Sequence, residues 1–190
     1  MIRVATLNLY EQRLDRPVAT ASAPLPPGLE LVLHESPAIA GDATRAWHQD
    51  APARLAAGQA CAAVRAQGTV VAYCWATTSP APVEEIRCHV VPGGDEVYLY
   101  DAYTAPEWRG RRLFPAMLAA LTGFARTRGR RRALIFVLAS NRASARAIEH
   151  AGFERFQVVS CVEACGARWL WWRGPRSARP RMPRLTRRGT

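Results

Sequence analysis

The 190-residue chain contains no lysine: all 26 of its basic residues are arginine, set against 15 Asp and Glu, for a net charge of +11. Arginine grips phosphate and carboxylate through planar, paired hydrogen bonds that a lysine ammonium does not make. No apolar run approaches the ~20 residues of a membrane-crossing helix. The first residues, MIRVATLNLYEQRLDRP, carry Arg3, Glu11, Arg13 and Asp15 and lack the apolar stretch of a secretory leader. The expectation is a cytoplasmic protein with no membrane span. There is no internal repeat. The five cysteines (61, 74, 88, 161 and 165) are odd in number, and Cys161 and Cys165 have no second pair and no nearby histidine to complete a zinc site. They read as idle or buried thiols in a reducing compartment, and no metal is expected.

The length suits one domain with a short extension. At 49% hydrophobic and 22% charged residues, the chain can build a core without disulfides. The domain is placed at residues 1–173, and 174–190 read as an arginine- and proline-rich tail without structure. Seven arginines and no acid lie from Arg173 onward, interrupted by Pro175, Pro180 and Pro183. A second acid-free cluster runs from Arg109 to Arg132. Such charge favours anionic partners without choosing among nucleic acid, membrane and phosphorylated cofactor. No RNA-binding aromatic motif accompanies the tail. Trp169, Trp171 and Trp172 read as strand core and edge packing.

Along the chain, residues 1–28 read as a strand-like piece and a Pro-rich connector. Glu30–His34 follows as a short strand. Thr44–Ala57 reads as a helix broken at Pro52, or as two short ones. Ala60–Ala66 and Thr69–Thr77 flank Gln67-Gly68 as a hairpin. Glu84–Val91 and Glu96–Thr104 are further strands around Pro92-Gly93-Gly94-Asp95. Then the period changes. Leu113, Met117, Leu118, Leu121 and Phe124 mark one face of a helix over 113–127, stopped by Gly129. Ala133–Leu138 is an apolar run sized for a buried strand. Asn141 opens a second helix that Gly152 ends, and strand returns from Phe153.

A meander followed by strand–helix–strand–helix–strand is α/β: a mixed sheet, antiparallel in its N-terminal half, with a parallel crossover, flanked by helices. Ligands in such sheets bind where a strand ends and the next helix begins. Here that place is the loop Pro106-Glu107-Trp108-Arg109-Gly110-Arg111-Arg112, running into Leu113-Phe114-Pro115. Free amides and the positive helix end make an anion site of such a loop; the alternative is a turn whose arginines face water.

The run Y-L-Y-D-A-Y-T-A-P-E-W-R-G-R-R-L-F-P-A-M-L resembles the acyl-CoA-binding segment of the GNAT superfamily of N-acetyltransferases, usually written P-E-Y-R-G-x-G-x-G. Residues 141–153, a helix ending in Gly-Phe, resemble that family's second segment. Together the matches span about residues 59–160. The resemblance implies a GNAT-like fold and acetyl-CoA, or another acyl-CoA, as co-substrate. It implies that the backbone at Tyr103 and Thr104 pairs with the pantetheine arm. Amides from Arg109 through Gly110, Arg111, Arg112 and Leu113 to Phe114 would hold the pyrophosphate. Asn141, with Ser144 on the same helix, would reach the pantetheine end. Two family glycines are Arg112 and Phe114 here, and Ile148 stands where many relatives carry an acid tyrosine.

The reaction so implied is direct attack of an amine on a thioester, which needs a proton acceptor and oxyanion donors. Asp101 is the first candidate, as base or ammonium anchor, with a sheet-bonded structural role as its alternative. Glu96, at the start of the same strand, is the second, with a solvated turn carboxylate as its alternative. Glu84 and Glu85 are candidate walls of the acceptor cleft. Strict alternation puts Tyr98 and Tyr100 on one strand face and Leu99, Asp101 and Tyr103 on the other. The leading expectation is an N-acetyltransferase acting on a small-molecule or peptide amine. The alternatives are an acyl-CoA-binding sensor or scaffold, and an arginine-tailed nucleic-acid partner. A weak anionic partner for the tail and a homodimer stay open.

Overall fold

The computed structural model describes residues 2–16, 25–35, 50–165, 167–174 and 184–187. Eleven strands and three α-helices alternate among these residues. The strands are β1 (Arg3–Arg13), β2 (Leu29–His34), β3 (Ala60–Ala66), β4 (Thr69–Thr77), β5 (Ala81–Val83), β6 (Cys88–Val91), β7 (Glu96–Thr104), β8 (Arg132–Leu138), β9 (Glu154–Ala164), β10 (Ala167–Arg173) and β11 (Arg184–Arg187). The helices are α1 (Ala51–Ala56), α2 (Leu113–Thr127) and α3 (Arg142–His150). Eight strands form one sheet in the order β10-β9-β1-β8-β7-β4-β3-β2, and β11-β6-β5 form a second, smaller one.

The large sheet is mixed. Among the described residues its single parallel pairing joins β7 to β8, from Glu96 opposite Arg132 to Leu99 opposite Ile135. The crossover between them is α2, whose Leu113, Met117, Leu118 and Leu121 are buried. That stripe lies over the sheet together with Val97, Leu99, Ile135 and Val137 and, from α3, Ile148. The opposite face packs Leu134, Tyr98, Leu7 and Leu9 against β5 and β6. Farther along, it packs Cys61, Tyr73 and Trp75 against α1. Being covered on both faces is why β8 reads as an unbroken apolar run rather than an alternating one.

Beyond Leu99 and Ile135 the two parallel strands part. β8 continues alongside β1, where Phe136, Val137 and Leu138 face Leu9, Asn8 and Leu7. β7 continues alongside β4, ending with Thr104 opposite Ala72. A wedge therefore opens between them at the end nearest the N-termini of α2 and α3.

Several sequence expectations need correction. The leading strand, which the sequence left unplaced, is β1, inserted between β8 and β9 and antiparallel to both. Pro52 begins α1 rather than breaking it, since proline at the first turn removes an amide that would lack a partner anyway. The rest of the expected helix lies outside the described residues. Glu84–Val91 is not one strand. Glu84–Ile86 is a 3₁₀ turn and Arg87 is left-handed, φ 48°, so pairing resumes only at Cys88. Within the supposed tail, Arg184–Arg187 pairs antiparallel with β6. Trp169 and Trp171 do not enter the core; they stand about half exposed on the edge strand β10.

Candidate active site

The wedge between β7 and β8 is a cleft of about 500 Å³. Its lining comes from both faces of the sheet, so it passes through the split rather than lying on one side. On the helix side stand Phe114, Ile135, Val137, Asn141, Ser144 and Ile148. On the other side stand Pro82, Glu84, Glu85, Tyr98, Tyr100 and Phe136, with Arg54 and Asp101 above them.

The helix-side mouth is basic. After a 3₁₀ turn at Pro106–Trp108, Gly110 takes φ 75° and Arg112 φ 59°. These two left-handed residues swing the chain into α2, where Arg112 is the cap residue. The first bond of the helix runs from the Ala116 amide to the Arg112 carbonyl (3.3 Å). The amides of Leu113 and Phe114 precede it and point out of the helix end. Pro115 contributes no amide. Arg109 is tied back by its Nε to the Thr104 carbonyl (3.1 Å), and the Arg111 guanidinium lies 4.7 Å over the Trp108 ring. Phe114 packs on the helix-side core and lines the cleft. The loop thus sets three arginines and unpaired backbone amides beside the positive end of the α2 dipole.

The site is also shaped by a bulge in β7. Opposite β4 the register steps from Trp75–Tyr100 to Tyr73–Tyr103, so β7 carries one residue more than its partner. Asp101 lies within that step, at φ 48°. The extra residue breaks strict alternation. Tyr100 and Tyr103 come to the same face: Tyr100 packs with the cluster that holds Tyr73 and Trp75, and Tyr103 stacks on Tyr73 at 5.7 Å. Asp101 turns that way too. Its Oδ2 accepts a hydrogen bond from Arg54 Nη1 at 2.5 Å. The Arg54 guanidinium lies over the rings of Trp75 (5.2 Å) and Tyr100 (5.6 Å).

The sequence model of the acetyltransferase (GNAT) family matches residues 29–153. The chain belongs to the GNAT acetyltransferase family. Members of this family transfer acyl groups from acyl-CoA to amines. No curated protein sequence matches this GNAT chain significantly. An X-ray structure of a Drosophila protein is similar over 87% of this chain and 52% of its own, at 13% identity and TM-score 0.58. A GCN5-related N-acetyltransferase from Sphaerobacter thermophilus covers 85% of this chain and 52% of its own, at 17% identity and TM-score 0.55. A GNAT acetyltransferase from Colwellia psychrerythraea covers 82% and 54%, at 14% identity and TM-score 0.54. At these identities the likeness is one of fold, and the GNAT chain spans about half the length of these structures.

Of the residues singled out from the sequence of this GNAT domain, Glu84, Glu85, Asp101, Phe114, Asn141 and Ser144 line the cleft, whereas Tyr103, Thr104, Arg109, Gly110, Arg111, Arg112, Leu113 and Glu96 do not. Glu96 lies at the closed end of the β7–β8 pair. It is 2% exposed, bonded to Arg132 Nη1 at 2.8 Å and accepting from the Gly93 amide at 2.7 Å. It does not line the cleft; it is a clamp. Tyr103 and Thr104 pair with β4 on one edge and lie beyond the last β7–β8 pair on the other. Asn141 has an occupied side-chain oxygen: Oδ1 accepts from the Ser144 amide (3.1 Å) as the α3 cap. Its NH₂ group is left to donate to a ligand. The Ser144 amide is likewise spent on that cap, which leaves its hydroxyl. Ile148 is buried and presents a methyl surface to the cleft. Arg112, at a family glycine position, adopts the left-handed backbone that glycine would supply. The sequence reading missed Arg54. It lies 47 residues before Asp101, in a segment whose only visible signal was helix propensity.

No helix among the described residues is long and apolar enough to cross a membrane. Among them, too, no group of three or more His, Cys, Asp or Glu is placed to hold a metal.

Proposed function

We propose that this domain transfers an acetyl group from acetyl-CoA to the nitrogen of a primary amine by direct attack in a ternary complex. The observation that carries the reading is the through-sheet cleft, with a basic helix-end mouth on one side and carboxylates on the other. Acyl-CoA supplies an activated thioester. Its pyrophosphate suits the amides of Leu113 and Phe114 with the Arg109–Arg112 charge around them. Its pantetheine arm suits the open β7 edge at Tyr103 and Thr104, with the Asn141 NH₂ and the Ser144 hydroxyl beyond.

The acceptor then comes from the face of Tyr98, Tyr100 and Asp101. The amine lone pair forms the C–N bond, the C–S bond breaks, and sulfur leaves with its electron pair. Asp101 takes the proton lost by nitrogen, directly or through water, while the Arg54 guanidinium holds the carboxylate in place. Ile148 cannot protonate the departing sulfur. A thiol of pKa near ~8.5 leaves acceptably without it.

Ile148 also favours a second reading, an acyl-CoA binder with little turnover. Release of free thiol from acetyl-CoA in the presence of an amine panel supports transfer. Thermal stabilisation by CoA with no thiol release supports the binder. No heat in calorimetry with any CoA derivative at low ionic strength overturns both.

A further inference from the structure

The acceptor side of the cleft carries two carboxylates that the reaction does not use, Glu84 and Glu85. Glu85 sits half-buried on the 3₁₀ turn between β5 and β6 and lines the cleft. Among the described residues its carboxylate has no ion pair and no hydrogen bond. Asp101, by contrast, is offset by Arg54 at 2.5 Å. In a chain of net charge +11, an acid left uncompensated inside a cleft is a specific feature.

A second observation falls at the same place. Tyr98 is 4% exposed and lines the cleft, and among the described residues its hydroxyl has no hydrogen-bond partner. Burial, and after it the nearby Glu85 charge, hold this phenol above its ordinary range, so it stays protonated. The hydroxyl is not sealed in the core, and a phenol at the cleft wall can accept a hydrogen bond from a ligand there. Between Glu85 and Asp101 the wall is apolar. Tyr98 and Tyr100 stack at 5.5 Å and 12°, and Pro82 lies alongside.

The reacting nitrogen must be neutral when it attacks, and it must stand where the strands split. A lasting ion pair with Glu85 serves neither need. Tyr98 and Asp101 are three residues apart on β7, a span of at most about 10 Å. The geometry points to an acceptor with two amino groups: one attacks beside Asp101, and the other stays an ammonium held by Glu85 and the Tyr98 hydroxyl. Methylenes between them lie along the two tyrosines. The substrate class is a small aliphatic di- or polyamine. This rests on the acyltransfer reading above.

The test compares putrescine, cadaverine and spermidine with n-butylamine on the intact protein with acetyl-CoA. The diamines should show kcat/KM at least tenfold above n-butylamine, and the advantage should shrink as salt rises. Glu85→Gln should cut the putrescine-to-butylamine ratio about tenfold. Tyr98→Phe, which keeps the ring stack, should cut it less. Putrescine binding is also measured by calorimetry without acetyl-CoA, with Glu85→Gln as comparison, so the amine site is tested apart from turnover. Equal kcat/KM for mono- and diamines overturns the inference and leaves acyltransfer standing. So does CoA-induced stabilisation with no heat from putrescine. Putrescine binding that Glu85→Gln weakens, in a protein that neither binds CoA nor releases thiol, supports the amine site and overturns the acyltransfer reading instead.

Discussion

Glu96 and Arg132 stand opposite each other in the first register of the parallel β7–β8 pair, joined at 2.8 Å and almost wholly buried. Arg132 also donates from Nε to Glu11 on β1 (2.5 Å) and lies 4.8 Å over the Phe156 ring. One side chain therefore ties β7, β8, β1 and β9 together at the end of the sheet where the strands are closest. The wedge opens at the other end. The clamp and the cleft are two ends of the same strand pair.

Breaking that clamp should destabilise the fold without touching the cleft. Glu96→Gln leaves a buried guanidinium short of one counter-charge, a loss of about 3 kcal/mol. Urea denaturation measures it. A loss under about 1 kcal/mol would show that Glu11 alone satisfies Arg132. CoA-induced stabilisation should persist in the variant.

Gly110 and Arg112 should respond in opposite directions. A Cβ at Gly110 meets nothing within 4 Å, but φ is 75° there. Gly110→Asp should cost about 1–2 kcal/mol of backbone strain and fold normally. Its carboxylate beside the proposed pyrophosphate site should abolish the thermal shift that CoA produces. An unchanged shift counts heavily against the site. Arg112→Gly should raise stability by up to about 1 kcal/mol, because glycine takes φ 59° without strain. Thermal melts of the two variants side by side give both signs.

Asp101→Asn removes the proposed proton acceptor and keeps the shape of the bulge. We expect kcat/KM for amine acetylation to fall about 100-fold, with only a small change in melting temperature. Activity within threefold of the parent protein would move the base elsewhere in the cleft.

Alkali should unfold the protein by titrating its buried thiols and phenols. Burial pushes the Cys61 thiol up to about 12, above its unfolded value. Below the unfolded pKa, near ~9, the thiol is neutral in both states and stability is fully present. As pH rises from there toward 12, only the unfolded chain ionises, and stability is lost. Cys61→Ala should remove about one proton from that linkage and flatten the alkaline limb of stability against pH. Native-state thiol labelling should reach Cys165, which is exposed, before the four buried cysteines.

How much of this was readable in advance differs residue by residue. The α2 stripe, the apolar run of β8 and the Asn141 cap depend on spacing within a few residues, and each appears where local pattern placed it. The glycine-bearing loop at a helix start was legible for the same reason. The face of Tyr103 was not, because one extra residue at Asp101 inverts alternation, and a bulge is set by the partner strand β4. Glu84–Val91 misled because a left-handed Arg87 has no sequence signal as strong as glycine's.

The order of amino acids by itself determined most of the helices and strands, that the fold is a mixed α/β sheet, and that a glycine-bearing basic loop sits before α2. All of these follow from short-range periodicity, capping and charge. Tertiary structure alone decided that β1 fills the slot between β8 and β9 and that Glu96 is a buried clamp. It also decided that Arg54 meets Asp101 and that Glu85 shares a cleft with Tyr98. Those are meetings of residues far apart in the chain or on separate strands, and only the pairing and register of the sheet bring such side chains within bonding distance.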